Sequence, residues 1–350
     1  MNKTAKEWIK KNPIVAYFAV ALVISFVMLF TAIYFIPQDN TLGQILGYYM
    51  AALGTYSPII AAIIVTRIIQ PRRSNVHLSK KLKVLLPVWI IAIVINIGNL
   101  KYATAPNASI IGLIILSLPV SLLPAWVISS AFSGSEGVKK MLKTIVWPGG
   151  KITYYLIAFF TFPVITIAGV LITNVWNENA VFPQISQAGN LLFIVCITFF
   201  SVLLFSGGLN EESGWRGFAQ IRLQAKYSPL ITAIILWFFL VIWHIPNDII
   251  QYQNGGYFLV RIGTYPFITI LFTWIFIRTN GNIWPVAIFH ASMNSMNPLM
   301  GVLPMTTAGN VLLTIVAIVV VIVDRMWRKL PKVHLAVYQE KGDNLIKNAT

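Results

Sequence analysis

Acidic side chains are scarce in this chain of 350 residues: Asp and Glu together number ten, against 26 Lys and Arg. Charged residues of both signs reach only 10%, far below the roughly 25% usual in soluble domains, which excludes an ordinary soluble fold. A single cysteine, Cys196, excludes a disulfide framework within the chain, and its place in an apolar run suits a small lipid- or helix-facing side chain. Histidine is as sparse, at four. No internal repeat is visible, which speaks against a transporter built from inverted halves. The polar interruptions are mostly short, so no separate soluble domain is expected.

What the chain does have is apolar length, with 57% hydrophobic residues. Lys3, Lys6, Lys10 and Lys11 precede Pro13 and an apolar run over 14–36, longer than the roughly 7–15 residues of a signal-peptide core. A retained anchor is expected there. Further runs of about the 17–25 residues needed to span a bilayer lie near 45–66, 84–100, 109–132, 152–174, 191–212, 229–247, 258–278, 283–301 and 307–323. The expected fold is all-α and polytopic, with about 8–10 transmembrane helices and ten as the direct reading. It divides into N-terminal helices (1–190), a segment carrying the chemistry (191–300), and a last helix with a basic tail (301–350). Pro58, Pro87, Pro119, Pro124 and Pro163 fall inside the expected spans, where proline kinks helices.

Charge distribution sets the expected orientation. With ten spans, 24 of the 26 basic residues fall on one face and only Lys101 and Arg261 on the other. By the positive-inside rule that face is cytoplasmic and holds both termini, in a multi-pass protein of the plasma membrane. The excess of +16 is then topological, and nucleic acid is not an expected partner. The lipid bilayer is.

Ionisable groups inside membrane spans are costly and mark function by default. Glu211 and Glu212 directly follow the apolar run 191–205, whereas the other eight acidic residues, Asp248 among them, read as tail, loop or span-end positions. His244 and His290 are flanked by Trp, Ile, Phe and Val; His77 and His334 lie in polar segments. Glu211 precedes Ser228 by 17 residues and His244 follows it by 16, so an antiparallel helix pair levels them at about 24–25 Å from the turn. His290 and Asn294 come about 12 and 18 Å into the helix after the turn at 279–282. All four can share one layer.

Spacing divides the work between the glutamates. Glu212 and Arg216 are i and i+4 with the acid first, a favourable pair, so Glu212 is expected to hold Arg216. Glu211 points about 100° away and stays available as a general base. His290 and Asn294, also i and i+4, present two neutral donors to a developing oxyanion. Each such residue alone reads equally as interhelical hydrogen-bonding glue; the depth-matched set reads as a site.

Glu211-Glu212-x3-Arg216, His244, and His290-x3-Asn294 together resemble the CPBP (CAAX protease or Abi) intramembrane proteases, whose pattern is EExxxR, FxxxH and HxxxN on three membrane helices. Leu240 stands where that pattern has Phe. The resemblance covers about residues 190–300 and implies an endopeptidase in which Glu211 and His244 activate water, His290 and Asn294 steady the oxyanion, and Glu212 and Arg216 support the site. Its implied substrate is a membrane-associated peptide or protein, CAAX-type prenylated or otherwise. The family has been viewed as metal-independent and as metal-dependent. No tightly bound metal is expected here; the alternative makes Glu211, His244 and His290 a three-ligand zinc site with an open position and leaves Glu212 as base. A non-catalytic immunity or regulatory scaffold of the same fold, and a proton-coupled carrier using the same residues as a relay, are the competing functions.

Overall fold

The computed structural model of the protein describes residues 3–36, 41–71, 78–146, 148–176, 188–252, 256–296 and 306–331. His77 and His334 lie outside the described residues, as does most of the basic C-terminal tail. Among the described residues there is no β-strand. That follows from the apolar runs, because a spanning segment without water must satisfy its backbone internally, as a helix does.

The N-terminal part comprises α1 (Lys3–Lys11), α2 (Pro13–Phe35), α3 (Thr41–Thr55), α4 (Ser57–Ile69) and α5 (Leu78–Asn99), the last continuing into a π-helical turn, π1 (Leu100–Thr104). Next come α6 (Ile110–Val120), α7 (Leu122–Ser130), the short α8 (Glu136–Met141) and α9 (Lys143–Val146), and α10 (Ile152–Trp176). The second part runs through α11 (Ala188–Phe205), α12 (Leu209–Gly214), a second π-helical turn π2 (Trp215–Gln220), α13 (Ile221–Gln224), α14 (Pro229–Tyr252), α15 (Gly256–Arg278), α16 (Ile283–Ser295) and α17 (Thr307–Val323).

Among the described residues six helical stretches are long and apolar enough to cross a membrane, or seven if α3 and α4, bent by 54° at their junction, count as one broken span. Among those residues that is fewer than the ten spans expected from the sequence. At 13 and 17 residues, α16 and α17 rise only about 20 and 26 Å, short of a hydrocarbon core of about 30 Å. An apolar run alone does not distinguish a full span from a shorter helix packed inside the bundle. Prolines also differ in role: Pro87, Pro119 and Pro163 lie within helices, but Pro58 stands in the first turn of α4, where its missing N–H costs nothing.

Helix α2 packs directly on the segment carrying the acidic pair. Phe18 stacks on Phe239 of α14 with centroids 3.7 Å apart, and Tyr17 stacks on Phe218 of π2 at 4.9 Å while meeting Trp215 edge-on at 5.7 Å. Such aromatic pairs contribute about 0.5–1.5 kcal/mol beyond area burial, and they tie α2 to π2 and α14. On the other side Gly169 of α10 lies so close to Gly309 of α17 that a Cβ would overlap its backbone. Small residues allow this backbone approach, a means of helix association where lipid supplies no hydrophobic drive.

Two basic residues counted by sequence among the cytoplasmic loop charges, Arg216 and Arg222, are instead buried between helices. Arg222 donates Nη1 to the Phe218 carbonyl at 2.8 Å and lies over the Phe218 ring.

Candidate active site

The apolar run of α11 ends at Phe205, and the helix is interrupted over residues 206–208 before α12 begins. Gly207 takes a φ of +138°, a conformation that glycine adopts without a Cβ penalty. A Cβ there would also collide with the imidazole of His290, so glycine at this position lets the ring approach the backbone. Asn210 closes the break: its Oδ1 accepts from the Gly207 N–H at 3.0 Å, and its Nδ2 donates to the carbonyls of Thr55 at 3.1 Å and Phe205 at 3.4 Å. The contact with Thr55 joins this break to the bend between α3 and α4. The same bend is held by Tyr56, whose hydroxyl donates to the Leu204 carbonyl, and by Ser57, whose hydroxyl accepts from Trp243 Nε1 at 2.8 Å. Gly214 packs against the backbone of Pro58. Helix α12 is thus fixed between two helix breaks, with Glu211 and Glu212 in its first turn.

Both glutamates are buried, at 4% and 1% exposure. Glu212 is engaged on both oxygens: Oε2 lies 3.1 Å from Arg216 Nη1, and Oε1 2.7 Å from His290 Nδ1. The i, i+4 pair expected from spacing is present, but Glu212 serves a second partner. Arg216 also places its guanidinium 4.5 Å from the centroid of Phe272 on α15. Neither Glu212 Oε2 nor Glu211 Oε2 has a hydrogen-bond partner among the described residues, but Glu212 Oε2 has its ion pair with Arg216 and Glu211 Oε2 has none there. A buried polar atom left in that state calls for an explanation, and a reacting molecule is one.

His244 lies half-buried on α14, with Nδ1 2.8 Å from the Leu240 carbonyl. A carbonyl only accepts, so Nδ1 carries the proton and the neutral ring leaves its Nε2 lone pair available. The hold is on the backbone of residue 240, which makes it independent of whether Leu or Phe stands there. Trp243 and Tyr265 meet the His244 ring edge-on at 4.7 and 5.9 Å. His290 donates Nδ1–H to the Glu212 carboxylate, leaving Nε2 to face Gly207. Neutral His290 in this state accepts at Nε2; it donates there only as an imidazolium. Asn294 is half-buried one turn further along α16.

Direct contact therefore joins Glu212, Arg216 and His290. Glu211 lies within electrostatic range of His290 and Arg216, and His244 within range of His290. A carboxylate-held imidazole is also the arrangement found behind metal-ligating histidines. Among the described residues, however, no three His, Cys, Asp or Glu side chains converge closely enough to hold a metal ion, so the donor set does not fit a three-ligand site.

Sequence reading placed Asp248 at a span end and Arg261 on the far face. The structure instead buries both: Arg261 Nε donates to Asp248 Oδ2 at 2.6 Å between α14 and α15. A lone arginine in an apolar run was the signal that could have found this pair.

Residues 191–296 match the family described as type II CAAX prenyl endopeptidase Rce1-like. The match takes in α11 to α16, and with them both glutamates, Arg216, both histidines and Asn294. A curated relative, CAAX prenyl protease 2 of Methanococcus maripaludis, is 25% identical over 155 residues, or 42% of this chain. The chain spans about half the length of that relative, 56%. The chain before residue 191 lies outside the family match, although Tyr17, Thr55, Tyr56 and Ser57 all pack on the matched segment.

Proposed function

We propose that this protein is an intramembrane endopeptidase that hydrolyses a peptide bond in a membrane-associated peptide or protein. The observation that carries this reading is the asymmetry of the two adjacent glutamates. Glu212 is committed to Arg216 and His290, whereas the buried Glu211 carboxylate has an oxygen with no partner among the described residues. In the proposed reaction Glu211 takes a proton from water and His244 orients that water through Nε2. The water oxygen attacks the peptide carbonyl carbon, and the resulting oxyanion is met by the Asn294 amide and by His290 as an imidazolium balanced by Glu212. Collapse of the tetrahedral intermediate breaks the C–N bond as the proton held by Glu211 passes to the leaving amine. His290 thus differs from the neutral donor expected from its spacing.

The chain carries no step through a metal in this scheme. The matched family and the Methanococcus relative support a substrate class: a prenylated CAAX-type protein, or another peptide anchored near the membrane. Comparing the membrane peptidome with and without the protein tests both points. Fragments should accumulate only when the protein is present, and dialysis of the purified protein against a strong chelator should leave their formation unchanged. Identical peptidomes would return the scaffold reading, and chelator-sensitive cleavage with stoichiometric zinc would reassign the histidines as ligands.

We also propose that both termini lie at the cytoplasmic face, the orientation in which the ten-span reading of the sequence puts most basic residues inside. A reporter fused after Lys81 should then read as cytoplasmic. A reading from the opposite face would invert the topology.

A further inference from the structure

His244 and Asp248 stand one helical turn apart on α14, and Arg261 and Tyr265 one turn apart on α15, so each pair shares a helix face. The two faces meet. Arg261 and Asp248 form their 2.6 Å ion pair with both side chains buried, at 4% and 7% exposure. The Arg261 guanidinium lies 4.6 Å from the centroid of the Tyr265 ring, and that ring meets the His244 imidazole edge-on at 5.9 Å. His244 to Asp248, Asp248 to Arg261, Arg261 to Tyr265 and Tyr265 to His244 close a four-membered circuit. Its charge also acts at the centre: Arg261 is within electrostatic range of both Glu211 and His244.

The bond from His244 Nδ1 to the Leu240 carbonyl fixes one point of the imidazole and leaves the ring free to tilt about it. Trp243 limits that tilt from its own helix, and Tyr265 limits it from the neighbouring one. Tyr265 is in turn covered by a guanidinium that Asp248 anchors to the same helix as His244. An ion pair buried in a membrane protein is a weak source of stability, because the desolvation of both groups offsets their attraction.

We propose that the Arg261–Asp248 pair is a positioning device for His244, setting the angle of its imidazole through Tyr265. This rests on the peptidase reading for its effect on turnover, but not for its effect on the ring itself. His244 is the residue that would touch the reacting water; Arg261, Asp248 and Tyr265 act through it.

Tyr265→Leu and Arg261→Gln test the circuit, with Arg261→Lys as the conservative rescue. Three quantities are read on each purified full-length variant: detergent-phase melting, kcat and KM per folded molecule, and the rate at which diethyl pyrocarbonate modifies His244 and His290, resolved by mass spectrometry. Tyr265→Leu should melt close to the parent while kcat falls by up to roughly 10²-fold, the scale of a misplacement of about 1 Å, with KM unchanged. The modification rate should change at His244 and stay constant at His290. Arg261→Gln should behave alike, and Arg261→Lys should recover part of both the kcat and the His244 reactivity. Should Arg261→Gln fail to fold, Tyr265→Leu decides alone, since it leaves the ion pair in place. An unchanged His244 reactivity in Tyr265→Leu, with kcat at the parent value, overturns the proposal. A parent protein without peptidase activity would sink the functional reading instead, and the reactivity of His244 would still show whether Tyr265 sets its angle.

Discussion

Glu212→Gln is expected to lower both thermal stability and turnover, because one substitution removes the counter-charge of Arg216 and the ionic anchor of His290 together. Arg216 is only 1% exposed, and what remains near it is the Phe272 ring and the Glu211 carboxylate, which acts on it electrostatically without a direct ion pair. Removing one partner of a buried pair costs about 3–5 kcal/mol, since the other charge stays desolvated without compensation. Against a total stability of about 5–15 kcal/mol that is a large share. Glutamine still offers an oxygen to His290 Nδ1, so the ring keeps a partner but loses the charge that balances it as an imidazolium. The double variant Glu212→Gln with Arg216→Gln should therefore regain stability without regaining turnover. Detergent-phase melting and turnover per folded molecule check this, and a Glu212→Gln protein that melts like the parent would show that the pair carries little of the fold.

Glu211→Gln should do the opposite, leaving the fold in place and removing the chemistry. The Glu211 Oε2 atom makes no hydrogen bond among the described residues, so its replacement breaks none of the contacts that hold α12. Asn210, Gly207 and the α3–α4 bend keep the helix where it is. The amide cannot take a proton from water, and loss of a general base costs about 10²–10⁴-fold in rate. Two neighbouring carboxylates of the same length thus separate into one whose loss is felt in melting and one whose loss is felt in turnover. Near-normal turnover in folded Glu211→Gln would remove the proposed base and with it the mechanism.

How much of this could be read from the sequence depends on where the information lies. The glutamates, Arg216 and the two histidines stand out because ionisable groups in apolar runs are rare, and the Glu212–Arg216 pair lies within one helical turn. The Glu212–His290 bond joins residues 78 positions apart, and no spacing rule reaches across two helices to find it. Arg261 and Asp248 were missed for the same reason, and each taken alone read as a charge near a membrane face. Gly207, Gly208 and Asn210 carry a legible break signal before the acidic pair, since a glycine pair in an apolar run interrupts a helix. The part of the N-terminal half that builds the site was the least visible. Tyr17, Tyr56 and Ser57 are ordinary residues in apolar helices, and only their packing gives them a role. Among the described residues fewer helices qualify as spans than the ten expected, in part because α16 and α17 are shorter there than their apolar runs suggest.

The central claim is that Glu211 activates water against a peptide bond, and isotope incorporation by purified protein tests it most directly. The substrate would be a peptide whose cleavage in membranes depends on the protein, incubated in water enriched in oxygen-18. The account predicts that the parent places heavy oxygen in the newly formed carboxyl group, at a rate that collapses in folded Glu211→Gln. A parent that forms no labelled product, or a Glu211→Gln protein that labels it as fast as the parent, would contradict the account.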